Sequence, residues 1–394
     1  MKIGMILDET FPPDPRVENE AITLINTGHE VFLFCLTYGG QKLSETSNGI
    51  QIRRYLSNKI IYKLSALSYD LPFYKMMMKS KIDHFIQENN IDVLHVHDMR
   101  IAGTVFEINK KYQLKIVIDL HDNIPENMKF YPHLSKFPGK YIISPSKWKK
   151  KEEEFIKKAD KVITVSPGFV NDVINRTGIS KNDILLVPNT VRQSFYKEAI
   201  FSNEVKDKYA NQFVILYLGD TNIRRGLLTA IRATKKLSQQ IENYKLVIVG
   251  KNTTDTILKE EVKRLNLESF VDFKGWQDVS LFPSYIVASN VCISPLYRSI
   301  QHDVAYANKI FQYMSFGKPV IVSNAIAQKE IVEQSNSGLV HREKDEEDFS
   351  TKVLELYANK EKSEALGNNG KQFIENEFSW EVTSLALVKL YDEL

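Results

Sequence analysis

The chain of 394 residues reads as two Rossmann-like α/β domains, each a doubly wound parallel sheet between helices. Three observations lead there. Short apolar runs alternate with helical stretches from the first residues onward, which is the pattern that builds parallel sheets. That alternation restarts near residue 213. The length also exceeds what one ordinary core organises and suits two.

The first strand is expected at Lys2 to Leu7, followed by a loop rich in proline and acid. Val17, Ala21, Leu24 and Ile25 recur at helical spacing with Gly28 just past the helix end, and a strand at Val31 to Leu36 completes a βαβ unit. Further strands are expected at Val93 to His97, Ile116 to Leu120, Val162 to Val165 and Ile184 to Val187. In the second half the candidates are Phe213 to Leu218, Lys245 to Val249, Val271 to Phe273, Val291 to Ser294, Pro319 to Val322 and Gly338 to Val340. The domains are drawn as 1–200 and 201–375, with an amphipathic helical tail, 376–394, free to pack on either. Ligands of open α/β sheets bind outside the carboxyl ends of the strands, so residues just after each strand are the ones to read.

Composition narrows the class. Hydrophobic residues at 43% and charged residues at 26% describe an ordinary globular protein. A net charge of +3 gives no call for nucleic acid, and no nucleic-acid partner is expected. The charge is uneven, since residues 1–200 hold 28 Lys and Arg against 23 Asp and Glu. Cys35 and Cys292 sit in apolar strand-like runs and read as buried free thiols. Met1 to Leu7 is too short for a signal peptide and no eighteen apolar residues run together, so a cytoplasmic protein is expected.

Asn308 to Pro319, NKIFQYMSFGKP, is the most informative stretch. Asn308 suits a helix N-cap, Ile310, Phe311 and Met314 share an apolar face, and Lys309 and Gln312 lie together on the other. A helix start offers unpaired N–H groups and partial positive charge, which suits a diphosphate. In the first half, strand alternation puts His95 and His97 on one face, with His97 at the carboxyl end. His121 and Asp122 end the next strand toward the same edge, and Glu126 follows a turn later. His95, His97, Asp98, His121 and Asp122 are ligand types for zinc or manganese.

NKIFQYMSFGKPVI resembles the asparagine-lysine, glutamate-tyrosine-methionine, glycine-lysine-proline stretch of glycosyltransferase family four, the retaining GT-B transferases. The likeness runs through most of the chain. FPPDPRVENEA with GHEV, VLHVHD, VIDLHDNIPE, ADKVITVS and LLVPNTV resemble landmarks of the family's first domain. VILYLG, RRGL, KLVIVG and VDFKGW resemble those of its second. The resemblance implies a GT-B fold whose two domains face an interdomain cleft, and a nucleotide-sugar donor as co-substrate with no cofactor or metal.

Residue roles follow from it. Arg225 and Lys309 would hold the diphosphate, with Arg224 and Asn308 beside them, Gln312 on the ribose, and His97 on the transferred sugar or acceptor. Gly275 and Trp276 fall where the family places the nucleotide base, though Trp276 reads equally as a core residue. His121, Asp122 and Glu126 would face the acceptor. Asp14, Pro15 and Arg16 stand where many relatives carry a glycine pair, leaving Arg16 either a substitute cation for the donor or the i,i+4 partner of Glu20. The chain departs from the family at Asp220, often arginine, and at Val304 and Gln312, both glutamate in the pattern, with His302 or Asp303 able to cover for Val304 if the loop is shifted.

The function expected is a retaining hexosyltransferase that moves a sugar onto a glycan or lipid-linked acceptor, in bacterial-type surface polysaccharide or glycoconjugate synthesis. Its rivals are a sugar-nucleotide 2-epimerase-like isomerase and a non-catalytic homologue acting as a partner subunit. Two basic, aromatic stretches suggest weak peripheral association with an anionic inner membrane face. Lys59 to Lys81 includes Tyr62, Tyr69, Phe73 and Tyr74, and Lys129 to Lys151 includes Phe130, Tyr131, Phe137, Tyr141 and Trp148.

Overall fold

The computed structural model describes every residue except 132, 133 and 135–142. The chain divides into two units, Met1–Pro188 with Ser384–Leu394, and Asn189–Thr383. The divide lies twelve residues before the expected boundary at 200, because Val191, Phe195 and Tyr196 pack into the second unit's core with Tyr209, Phe311 and Phe373. The tail is two helices, Trp380–Thr383 and Leu385–Glu393, and it is the later one that joins the first unit.

Among the described residues the first unit holds an eight-stranded sheet in the order β3-β4-β2-β1-β5-β6-β7-β8. Its core strands are β1 (Lys2–Thr10), β2 (Glu30–Thr37), β5 (Val93–His97), β6 (Lys115–Leu120), β7 (Lys161–Thr164) and β8 (Ile184–Leu186). All of these pair in parallel, and β2, β5, β6, β7 and most of β1 are buried on both faces, as helices on either side require. The hairpin β3 (Ser44–Ser47) and β4 (Ile50–Leu56) extends one edge and was absent from the sequence reading. Its turn is Asn48-Gly49, both at positive φ, the dipeptide that lets a two-residue hairpin match strand twist.

The second unit's sheet runs β11-β10-β9-β12-β13-β14, parallel throughout. The strands are β9 (Phe213–Leu218), β10 (Tyr244–Val249), β11 (Val271–Gly275), β12 (Val291–Ser294), β13 (Val320–Ser323) and β14 (Gly338–His341). Strand order reverses between β9 and β12, and between β1 and β5 in the first sheet. Such switch points open a crevice at the strands' carboxyl ends, which is where loops can reach a ligand. Gly219 and Asp220 follow β9, and Asp98 follows β5, so the candidate residues stand at those two points.

Candidate active site

At the switch point of the second sheet, β9 ends at Leu218 and the chain turns through Gly219 at φ 110°. A side chain there would meet the Lys309 ammonium at 3.2 Å, so only glycine keeps both the turn and the lysine. Lys309 opens the helix Lys309–Ser315, whose buried Ile310, Phe311 and Met314 anchor it to the core and turn Lys309 toward β9. The helix is only seven residues and Asn308 makes no side-chain capping bond, so the expected N-cap is absent. The cationic character of the site therefore comes from side chains.

Lys309 Nζ lies 3.6 Å from the Tyr217 ring centroid, is closed off from solvent, and has no hydrogen-bond partner. Burial, reinforced by the nearby Arg225 and opposed by Asp220, holds its pKa well below the usual lysine value. Arg224 and Arg225 come from the 3-10 turn Ile223–Arg225, and Gly226 closes it at φ 78°. A Cβ on Gly226 would strike the Pro295 carbonyl oxygen, so the basic turn packs directly on the loop after β12. Asp220, where the family favours arginine, binds Arg225 Nε at 3.2 Å and accepts 2.7 Å from Asn252 Nδ2. Arg225 is thus held in place by a carboxylate, while Lys309 is held by packing alone.

Of His302 and Asp303, the two residues that could cover for Val304, it is His302 that joins this group. It is buried in the short helix Ile300–Val304, with Nδ1 2.7 Å from the Tyr297 carbonyl oxygen and Nε2 without a partner. Burial, with Arg225, Arg224 and Lys309 nearby, pulls its pKa down to about 4. Asp303 is engaged elsewhere, with Arg298 at 3.0 Å and the Ile326 amide at 3.0 Å. Gln312 lies half-buried one turn after Lys309. Trp276 is 65% exposed, which removes the core reading, and it directly follows Gly275 at the end of β11.

The first unit gathers its candidates differently. Arg16, 4% exposed, forms a buried pair with Asp119 of β6 and lies 3.6 Å from Glu20. Its charge is consumed within the fold, so of the two sequence readings the Glu20 pairing is present and the donor-cation role is corrected. Asp119 Oδ2 also lies 3.2 Å from His97 Nδ1. The His97 ring stacks on His95 at 4.5 Å between centroids, and Tyr391 of the last helix lies 2.8 Å from His95 Nδ1. His97 is 0% exposed, so the direct sugar or acceptor contact implied by the resemblance is not available in this conformation. Burial first, then His95 and Arg16, holds its pKa well below the ordinary histidine value.

Of the five residues weighed as metal ligands, the fold brings His95 and His97 together with Glu20 and Asp119, whose ligand atoms lie within 4.8 Å of one another. The Arg16 guanidinium already sits on Asp119, and its fixed charge opposes a second cation there. His121 pairs with Asp98 at 3.0 Å. Asp98 takes φ 63°, a strained value for this residue, at the end of β5. Burial and Arg16 press the His121 pKa down, but Asp98 prevails and holds it above the ordinary value. Asp122 precedes the helix Ile124–Met128, and Glu126 within that helix is buried and bound by Lys129 at 2.6 Å and Lys149 at 3.6 Å. Two lysines therefore occupy the Glu126 carboxylate that was assigned to the acceptor.

Comparison with known proteins agrees with this architecture. The profile described as "Glycosyltransferase Family 4" matches residues 16–195, and "Glycosyl transferases group 1" matches 199–373. The chain is a family-four glycosyltransferase. An uncharacterised glycosyltransferase of Methanocaldococcus jannaschii is 25% identical over 84% of this chain and 82% of its own. Another from the same organism, 21% identical, is spanned for 59% of its length. N-acetyl-alpha-D-glucosaminyl L-malate synthase of Bacillus anthracis is 21% identical over 90% of this chain and 87% of its own. Among solved structures, sucrose-phosphate synthase from Thermosynechococcus elongatus superposes with a TM-score of 0.81 at 18% identity, covering 100% of this chain and 98% of that one. Anabaena HepE in complex with UDP superposes at 0.75 with 14% identity over the full length of both chains. The fold of this glycosyltransferase is GT-B, and its family uses nucleotide-sugar donors. No described helix is long and apolar enough to cross a membrane.

Proposed function

We propose that this glycosyltransferase is a retaining hexosyltransferase whose second unit carries the donor. The observation that carries the reading is Lys309 Nζ, buried beside Arg225 without a hydrogen-bond partner. Charging an unpaired buried amine is costly, and an arriving diphosphate removes that cost. In this reading Arg225 and Lys309 hold the diphosphate with Arg224 and Asn308 flanking them, Gln312 meets the ribose, and the Gly275 backbone and exposed Trp276 border the base. As the bond to the anomeric carbon breaks, negative charge develops on the leaving diphosphate, and these cations stabilise it. The acceptor oxygen bonds to the anomeric carbon on the face the diphosphate leaves, and the departing diphosphate accepts the hydroxyl proton, so anomeric configuration is retained without a protein nucleophile. No metal or cofactor enters the scheme.

The acceptor is proposed to be a glycan or lipid-linked saccharide of a bacterial-type surface polysaccharide or glycoconjugate, bound by the first unit near His121 and Asp122. Exposed Ile60, Tyr62, Phe73, Met76 and Met77 beside Lys59, Lys63 and Lys79 support weak attachment to the inner face of an anionic membrane. Phe137 and Tyr141 of the other expected stretch lie outside the described residues, and Trp148 is buried. Flotation with neutral and anionic vesicles at low salt tests the attachment, and equal recovery removes it.

Thermal-shift screening of nucleotide sugars tests the donor reading, because a ligand of the folded state alone raises its stability. A shift with at least one nucleotide sugar that disappears in both Arg225→Ala and Lys309→Ala is expected. An undiminished shift in both variants sinks the placement. Slow hydrolysis of the donor that binds excludes a non-catalytic homologue, and the anomer formed, read by NMR, tests retention.

A further inference from the structure

We infer that His302 is a donor-contacting residue of this chain, its Nε2 taking up a proton when a nucleotide sugar binds and donating a hydrogen bond to the diphosphate. The inference rests on the donor reading above and adds a residue that the family pattern does not supply. At the neighbouring position 304, where the pattern has a carboxylate, this chain has valine.

Geometry fixes the tautomer. Nδ1 lies 2.7 Å from the Tyr297 carbonyl oxygen, which can only accept, so Nδ1 carries its hydrogen in every protonation state. Nε2 is therefore the nitrogen that titrates. It is a buried lone pair without a donor, an arrangement that native interiors seldom leave unexplained.

The surroundings say what would complete it. The Tyr297 amide donates to the Arg224 carbonyl at 3.0 Å, which sets the ring beside the basic turn. Burial first, opposed by the Tyr297 carbonyl and aided by the charges of Arg225, Arg224 and Lys309, keeps the ring neutral. On its own helix Asp303 is bound to Arg298, and the helix Ile326–Gln334 packed alongside turns Lys329, Glu330 and Glu333 to solvent. No described carboxylate thus pairs with the ring. A diphosphate entering this cluster reverses the local field and places anionic oxygens where a bare lone pair would repel them. The ring then gains a proton at Nε2, becomes a donor, and adds a third kind of cation to the leaving group. The family's carboxylate has no such option, so His302 would couple donor affinity to pH in this chain.

Calorimetry at pH 5.5, 6.5 and 7.5 in buffers of different ionisation enthalpy measures protons taken up on binding. UDP-glucose, UDP-N-acetylglucosamine and GDP-mannose serve as probes, since their diphosphates have no proton to exchange in that range. Uptake of roughly half a proton or more at pH 6.5 is expected, with donor affinity rising about tenfold from pH 7.5 to 5.5. His302→Asn, which keeps a side-chain donor near the Tyr297 carbonyl, should flatten both, while any proton taken by Lys309 remains. Equal uptake in the folded variant and the parent overturns the inference but leaves the donor reading intact. Imidazole-labelled parent protein gives an answer without mutation. Of the eight histidines, one neutral ring should shift to the imidazolium position on adding ligand, and none doing so overturns the inference. Failure of all three probes to bind would instead remove the donor reading, and this inference with it.

Discussion

The two sheets place charge at their switch points in opposite ways. In the first unit the buried cation Arg16 meets Asp119 and Glu20, and the histidines stack beside that pair. In the second, Arg225 has Asp220, but Lys309 has only an aromatic face and His302 only a carbonyl. One crevice closes its electrostatics within the protein, and the other leaves positive charge for something to complete. Buried charges need partners. Where the fold supplies them the cluster is structural, and where it withholds them the cluster points to a ligand. The predictions below test that division.

Asp119→Ala should have the largest effect. It leaves buried Arg16 with the neutral His97 ring at 3.3 Å and, as a carboxylate, the more distant Glu20 at 3.6 Å, and breaking one side of a buried ion pair costs about 3–5 kcal/mol. Chemical denaturation should show that loss, while nucleotide-sugar affinity of the folded variant stays unchanged. A large loss of donor affinity at preserved stability would erase the distinction between the two clusters.

Acid should separate the units next. His302 and His341 are held at about 4, chiefly by burial, against 6.5 when free. Depressed in the fold, these rings take protons only on unfolding, so their contribution is complete above about pH 6.5 and lost as pH falls toward 4. Each contributes up to about 1.4 kcal/mol per pH unit within that window. The first unit has the same liability in His95, lowered to about 3 by burial and then Arg16, and in His97, lowered chiefly by burial, but also an offset. Burial raises Glu20 and Glu152 from 4.5 to about 7, so between those values the fold binds the extra protons and acidification favours it. Hydrogen exchange at pH 7 and pH 5, corrected for intrinsic rate, should show β9 and β12 losing protection before β1 and β5. The reverse order would contradict the charge assignments.

Lys309→Ala removes the unpaired cation. A charge-assisted hydrogen bond contributes ~1.5–3 kcal/mol, so donor affinity should fall roughly 10- to 150-fold. The same substitution should leave folding stability unchanged or raise it, because a desolvated, unpaired amine leaves with it. A variant less stable by several kcal/mol would make Lys309 a structural residue like Arg16.

Sequence periodicity carried most of the fold because buried parallel strands are uninterrupted apolar runs, as in Phe213–Leu218 and Val291–Ser294, where expected and observed limits coincide. The β3–β4 hairpin escaped because QIRRYL is half polar on an edge, although its Asn48-Gly49 turn was visible. For the candidate site, order along the chain put Arg225, Lys309 and Gln312 after strands or at helix starts. It could not say who pairs with whom. Arg16 and Glu126 looked available and are occupied, whereas Asp119 looked like an ordinary strand residue. Its signal was present, since it is the one acid inside the apolar run KIVIDL. His302 was marked only by lying two residues before Val304, on a par with Asp303, and its place depends on a five-residue helix and one carbonyl 2.7 Å away.

Gln312 gives the smallest and most discriminating effect. It occupies a glutamate position of the family pattern, half-buried on the helix that Lys309 opens. Glutamine keeps a carbonyl acceptor of similar reach for ribose hydroxyls but carries no charge. In a cluster whose cations await a diphosphate, a carboxylate would strengthen the ribose contact, repel the diphosphate, and draw Lys309 toward itself. Those terms oppose one another, so Gln312→Glu should leave donor affinity within a fewfold of the parent. Gln312→Ala removes the acceptor and restores nothing, and should cost about 1–2 kcal/mol of donor binding, or roughly 5- to 30-fold. Titration of both variants with the nucleotide sugar that binds the parent decides it. If Gln312→Ala matches the parent while Gln312→Glu gains donor turnover that the parent lacks, the unpaired charge beside it is the remnant of a lost active site.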